Sequence, residues 1–178
     1  MAVQKILLLG NPKLYETSLP VKRAELDFLC KVVQDLHDTL MDFRSKYGAG
    51  RAIAAPQIEV MKRVIYMHID KPVVFINPRI DQKSPKMIQI WDDCMSFPDL
   101  LVKVQRHKSC RIQYKDIEWK EQTMILEGDS SELVQHECDH LDGVLAVSRA
   151  VDKYCFALKS QRQYLVLSQK DNHSRRGY

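Results

Sequence analysis

Two histidines four residues apart, His136 and His140, enclose a glutamate in the stretch Gln135-His136-Glu137-Cys138-Asp139-His140. On an α-helix four residues turn through about 400°, so both imidazoles leave one face roughly 6 Å apart and can reach one metal ion. Glu137 stands about 100° round from His136, beside the pair. It is placed to touch water held at such an ion rather than the ion itself. A divalent metal lowers the pKa of water it binds towards about 7, and a neighbouring carboxylate can then take and return the proton. A match of this length is a hypothesis, and its context decides its weight.

The helix that must carry these groups is signed at both ends. Asp129 reads as its N-cap, with Glu132 as the capping-box partner three residues on. Leu133, Val134, Leu141 and Val144 supply apolar positions, and Gly143 reads as the stop. A catalytic metal site needs a third protein ligand and an open position. No glutamate follows Glu137, and Ala146 stands where a longer protease pattern requires a histidine. The later His173 lies in a polar tail, so the ligand must come from upstream. Cys94, at the end of a strand candidate, is the leading choice because thiolate binds zinc or ferrous iron strongly. A buried structural cysteine is the competing reading.

The 178 residues suffice for one domain with a real core, assigned to 1–167, with 168–178 as a disordered basic tail. The balance of 45% hydrophobic and 28% charged residues is that of an ordinary globular protein. A net charge of +4, interspersed along the chain, gives no reason to expect nucleic-acid binding. No apolar run reaches the roughly 18 residues needed to cross a membrane, and the start lacks an export signal. Five cysteines without CxxC spacing read as reduced thiols, so the expected location is the cytoplasm. The expected state is a monomer, although no residue pattern carries that expectation.

Helical spacing predicts a long amphipathic helix over 24–47, stopped at Gly48-Ala49-Gly50. His37 on it has no partner at ligand spacing and reads as a packing residue. The small residues of 50–57 read either as a tight packing turn or as a site approached closely by another chain. Strands are predicted over 63–67, 73–77, 87–91, 101–104, 109–114 and 122–126, and a second apolar segment, 152–159, reads as helical. Residues 164–167 could extend that helix or form a strand. Strands between two helices, without regular alternation, argue for an α+β fold.

Three stretches together resemble the peptide deformylase family. Gly50 through Gln57 is similar to its Gly-x-Gly-x-Ala-Ala-x-Gln loop. Asp92 through Ser96 answers its Glu-Gly-Cys-Leu-Ser, and Gln135 through Leu141 matches its Gln-His-Glu-x-Asp-His-Leu. Order and spacing fit from about Ile6 to Val147. The resemblance implies antiparallel or mixed sheets around a central metal-binding helix. It implies a cytoplasmic hydrolase that removes the N-formyl group from the N-terminal methionine of nascent polypeptides, met at the ribosome, and releases formate. By position, Cys94, His136 and His140 would bind one divalent metal, ferrous iron first, with zinc, nickel or cobalt able to substitute. Glu137 would be the general base and acid. The Gln57 amide and the Met95 backbone N–H would stabilise the developing negative oxygen. Arg106 would form an ion pair in the cleft wall, and Asp139 would support the site.

The departures from this pattern concern substrate binding, expected at Arg51, Ala52, Ile53, Asp93, Glu132 and Leu133. Ala52 replaces a glycine, which matters if that position needs φ > 0 or close approach. Asp92 and Asp93 replace Glu and Gly, and Arg51 and Glu132 stand where the family is apolar. Glu132 lies one turn before His136, so it either completes the capping box or puts a carboxylate, paired with Arg51, into the pocket for the methionine side chain. The alternative to a formyl-methionine hydrolase is therefore a divergent deformylase or amidase whose polar pocket takes a different N-formyl or N-acyl compound. A catalytically idle binder of nascent chains would have no need of Glu137 and Gln57.

Overall fold

The computed structural model describes residues 2–165; the predicted disordered tail lies outside them. Among the described residues, two long helices and eight strands build an α+β fold. A five-stranded antiparallel sheet runs in the order β1 (Ala52–Ala54), β2 (Val64–His68), β3 (Pro72–Lys83), β6 (Ser109–Lys115), β7 (Glu121–Glu127). A three-stranded antiparallel sheet has β5 (Phe97–His107) between β4 (Met87–Cys94) and β8 (Phe156–Leu158).

Alternation along the strands decides what each face covers. Ile53, Val64 and Tyr66 point to one side of the larger sheet and pack with Leu29, Val32, Leu36, Leu40 and Phe43 of α1 (Leu26–Tyr47). Ala52, Ala54, Ile65 and Met67 point to the other and pack with Leu133, Val134, Cys138 and Leu141 of α2 (Asp129–Leu141). The larger sheet is thus sandwiched between the helices, and α2 also meets β5 of the smaller sheet. The apolar α1 residues recur three or four apart, and each contributes about 1.5–3 kcal/mol by burial. Gly48 ends α1 with φ 64°.

The predicted strands all exist, most of them longer than the apolar runs that announce them. Three readings are corrected and one left open is partly decided. Residues 52–54 form strand β1, because the small side chains let α2 approach it closely. The 152–159 segment is not helical: Phe156–Leu158 add to the edge of β5, where Val102 and Leu100 are their register partners. Its apolar residues are consecutive and offer no helical stripe, so pairing with an open strand edge wins. Residues 162–165 are helical, and the rest of the 164–167 segment lies outside the described residues. Finally, Gly128 rather than Asp129 is the N-cap of α2, without a side-chain cap, so no capping box forms.

The C-terminal end of α2 is locked to the N-terminal segment. Gly143 has φ +70°, and a Cβ built there falls on the Tyr15 carbonyl. Ser18 N–H also donates to Leu141 O at 2.9 Å. Gly48 has a similar φ, +64°, but open space around it. Gly143→Ala therefore loses both backbone ease and room, at about 2 kcal/mol or more, whereas Gly48→Ala loses only the first, at about 1 kcal/mol. Urea denaturation of the two variants should rank them in that order.

Candidate metal centre and active site

Residues Ser131 to Leu141 of α2 are all buried, although six of them are polar or ionisable beyond Ser131: Glu132, Gln135, His136, Glu137, Asp139 and His140. A buried polar group is tolerable only when partnered, so the partners trace the design of the site. Gln135 ties the helix to β5: its Oε1 accepts from His107 N–H at 3.0 Å, and its Nε2 donates to His107 O at 2.8 Å. Arg106, 3% exposed, donates from Nη2 to Asp92 at 3.0 Å and from Nη1 to Asp139. Arg149 grips Asp139 with two further bonds, at 2.5 and 2.6 Å. Asp92 Oδ2 also meets His136 Nδ1 at 3.0 Å. This contact leaves Nε2 of His136 free to face the cavity, and it fixes the ring.

Cys94 ends β4 and brings its sulfur to the helix. Its Sγ lies 3.2 Å from His140 Nε2, which lies 3.2 Å from His136 Nε2. The three donor atoms sit within 4.8 Å of one another, and all three residues are buried. Donors around a tetrahedral ion with bonds of about 2.0–2.3 Å stand roughly 3.3–3.6 Å apart, so the cluster fits one metal ion. One thiolate and two imidazoles form a donor set suited to zinc or ferrous iron.

Charge is distributed to match. Burial raises the Asp92 carboxyl, but His136 and Arg106 outweigh that and hold it down at about 2. For His136, burial opposes the charged form, yet Asp92 and the Cys94 sulfur raise its pKa well above the usual value. His140 is lowered by burial and by its charged neighbour His136. Burial raises Glu137 to about 7, so near neutrality its carboxyl can hold or release a proton. Its Oε2 is buried without a partner among the described residues. Burial also raises the Cys138 thiol, which points to packing rather than reactivity.

Gln57 is oriented by its surroundings. Its Oε1 accepts the Ala54 N–H at 2.9 Å, which turns Nε2 towards Ser96 Oγ at 3.2 Å and Cys94 Sγ at 3.6 Å. A donor therefore stands beside the metal donors. Cys94, Gln57, Met95, His136 and Glu137 line one cavity of about 50 Å³. Arg51, Ala52, Asp93, Glu132 and Leu133 also line it. Ile53 does not: its side chain is fully buried against α1, which corrects its place among the substrate-binding residues. Ala52 needs no left-handed backbone, so its replacement of glycine carries no strain. Glu132 pairs with Arg51 at 2.5 Å. Sequence reasoning missed Phe43 and Lys159 on the cavity wall; Lys159 pairs with Asp93 at 2.8 Å, a contact with no local signal in the sequence.

An α+β fold with a buried Cys–His–His cluster and a glutamate beside it defines a metal-dependent hydrolase class. Within that class, the sequence pattern described as polypeptide deformylase matches residues 3–154. The peptide deformylase of Leptospira biflexa is 34% identical over 164 residues, covering 84% of this chain and 88% of that protein. The peptide deformylase of Pseudothermotoga lettingae is 34% identical over 176 residues, covering 98% and 99%. Among solved structures, the peptide deformylase of Thermotoga maritima superposes with a TM-score of 0.79 at 29% identity, covering 85% of this chain and 100% of that chain. The Synechococcus elongatus peptide deformylase in complex with actinonin gives 0.78 at 28%, covering 85% and 80%. The chain belongs to the polypeptide deformylase family.

Arg106 holds two buried carboxylates. Removing it as Arg106→Met strands Asp92 and Asp139 partly unpaired, at an expected cost of about 3–5 kcal/mol. Arg106→Lys should recover only part of this, because one ammonium cannot reproduce the fork that spans both acids. Chemical denaturation of the two variants measures both.

Proposed function

We propose that this chain hydrolyses the N-formyl group from the N-terminus of nascent polypeptides, releasing formate, with Cys94, His136 and His140 holding the required divalent metal. Ferrous iron is the favoured ion, with zinc, nickel or cobalt as substitutes, because a thiolate with two imidazoles accepts any of them. When bound, the ion supplies Lewis acidity and lowers the pKa of its water. The remaining chemistry belongs to the chain. Glu137 takes the water proton and returns it to the departing amine, a role that suits a carboxyl held at about 7. Gln57 Nε2 and the Met95 backbone N–H donate to the oxygen that becomes negative as the formyl carbon is attacked. Asp92 and Arg106 keep the His136 ring in place.

The observation that carries this reading is the Glu137 carboxylate, buried, with one oxygen unpartnered, beside three metal donors. A helix gains nothing in stability from such a group, whereas a proton shuttle requires it. We further propose that the protein acts as a monomer in the cytoplasm on chains leaving the ribosome, without binding nucleic acid. No described helix is long and apolar enough to cross a membrane.

Metal-loaded protein should release formate from formyl peptides, and removing the metal with a chelator should stop it. Glu137→Ala should abolish turnover while retaining metal by elemental analysis, which separates the proton shuttle from the ligands. Gln57→Ala should lower kcat on the order of a hundredfold. An unchanged rate in the Glu137 variant would overturn the mechanism.

A further inference from the structure

A second cavity, of about 320 Å³, opens where the two sheets part. Arg79, Ile80 and Lys83 of β3 line it from the larger sheet, and Met87 of β4 and Arg106 of β5 from the smaller. The α2 residues on its wall, Gln135, Cys138 and Asp139, stand about half a turn round the helix from His136 and Glu137. The space is therefore separate from the one at the metal donors. Its volume lies at the lower end of the range of about 300–1,000 Å³ in which small-molecule sites fall.

The charges on its wall do not balance. Five cationic side chains line it against two carboxylates, Asp139 and Asp142. Both acids are already paired: Asp142 with Arg63, and Asp139 with Arg106 and Arg149. Arg106 also holds Asp92 at 3.0 Å. With Asp92 counted, three acids answer three arginines, and Arg79 and Lys83 are left over. Arg79 Nη2 donates to a neutral group, Gln113 Oε1, at 3.1 Å, and neither cation has a carboxylate partner among the described residues. Asp81 falls between them in sequence, but β3 loses register there, and both Asp81 oxygens accept from Arg111, at 2.9 and 2.6 Å. Arg79 acts on Asp81 only at longer range. The same wall holds a buried donor without an acceptor: Arg106 is 3% exposed, and its Nε has no partner among the described residues.

We propose that this cavity binds a phosphate group, free or as the ester of a small molecule, on Arg79 and Lys83. Such a group carries about −1.5 to −2 charges at neutral pH, which matches two unpaired cations, whereas a carboxylate answers only one. The guanidinium fork suits phosphate oxygens, and the lysine adds a mobile point charge. Pro78, Ile80 and Met87 give an apolar wall for the organic part of an ester. The site does not depend on the deformylase reading. Through Arg106 it borders, without entering, the contacts that orient His136.

Calorimetry on zinc-loaded protein with adenosine monophosphate, inorganic phosphate and adenosine tests this. Adenosine monophosphate should bind, adenosine should not, and affinity should fall as salt rises. Arg79→Ala should weaken binding roughly tenfold or more, and the double variant Arg79→Ala, Lys83→Ala should abolish it. Lys46→Ala, on α1 across the larger sheet, should change nothing. Both altered positions are exposed, and an unchanged melting temperature checks that the fold is intact. Tighter binding of adenosine monophosphate than of phosphate makes an ester the ligand; equal binding makes it the free ion, and either upholds the site. Binding that survives the double variant places the anion elsewhere, at the metal for instance, and overturns the proposal. So does an absence of binding by both phosphates, or adenosine bound as tightly as its phosphate. Tighter binding of hexauridylate than of adenosine monophosphate makes an RNA strand the occupant and overturns it too.

Discussion

A helix surrounded on every side by protein, yet carrying acids, amides and imidazoles along its middle, can exist only if each of those groups is answered from a neighbouring element. In α2 the answers come from β5 through Arg106 and His107, from β4 through Asp92 and Cys94, from Arg51 and from Arg149. Desolvating even one of these charges without a partner would cost several kcal/mol, a large part of what a domain of this size has in reserve. The larger sheet, α1 and the smaller sheet are the means by which those partners arrive together. Among the described residues, the buried side-chain atoms of this helix left without a partner are one oxygen of Glu137 and Nδ1 of His140, both at the metal donors.

Arg106 is the keystone of the arrangement because it joins the two sides of the site. Through Asp92 it orients a metal-facing histidine, and through Asp139 it anchors the residue next to the other histidine. Replacement of the family's glutamate by Asp92 is absorbed here, since the shorter carboxylate still reaches both His136 and Arg106. Ala52 is absorbed as well, since its backbone is not left-handed, and the charged residues Arg51, Asp93 and Glu132 remain. These three gather on the wall of the cavity beside the metal donors, where they form two ion pairs, Arg51–Glu132 and Lys159–Asp93.

How much of this the sequence disclosed depended on the range of the interaction. The histidine pair and its glutamate were legible because helical spacing alone puts them on one face, and α1 was legible from its apolar recurrence. The alternating strands were legible in kind, though not in length, since the ends of β3 and β5 are polar and paired only through their neighbours. The third metal donor was not derivable from spacing, because Cys94 lies 46 residues from His140 and only the packing of β4 on α2 joins them. Elimination of later ligands and thiolate chemistry made it the leading choice against a buried structural cysteine, and the family resemblance supported it. The capping box failed because α2 starts one residue earlier, with Gly128 as its cap, and Glu132 pairs instead with Arg51, 81 residues distant. Strand β8 failed because three residues pairing with an edge leave no periodic mark.

The margin of β5 beyond the reach of β8 carries one more consequence. Lys103 exchanges backbone bonds with Cys155 and Val151, Val104 bridges Ala150, and the carboxamide of Gln135 occupies both the N–H and the carbonyl of His107. A side-chain amide there makes the pair of bonds that a further strand would make. The residue preceding the first histidine thereby fastens the helix to the smaller sheet through the sheet's own backbone groups, on a border of β5 that β8 does not cover.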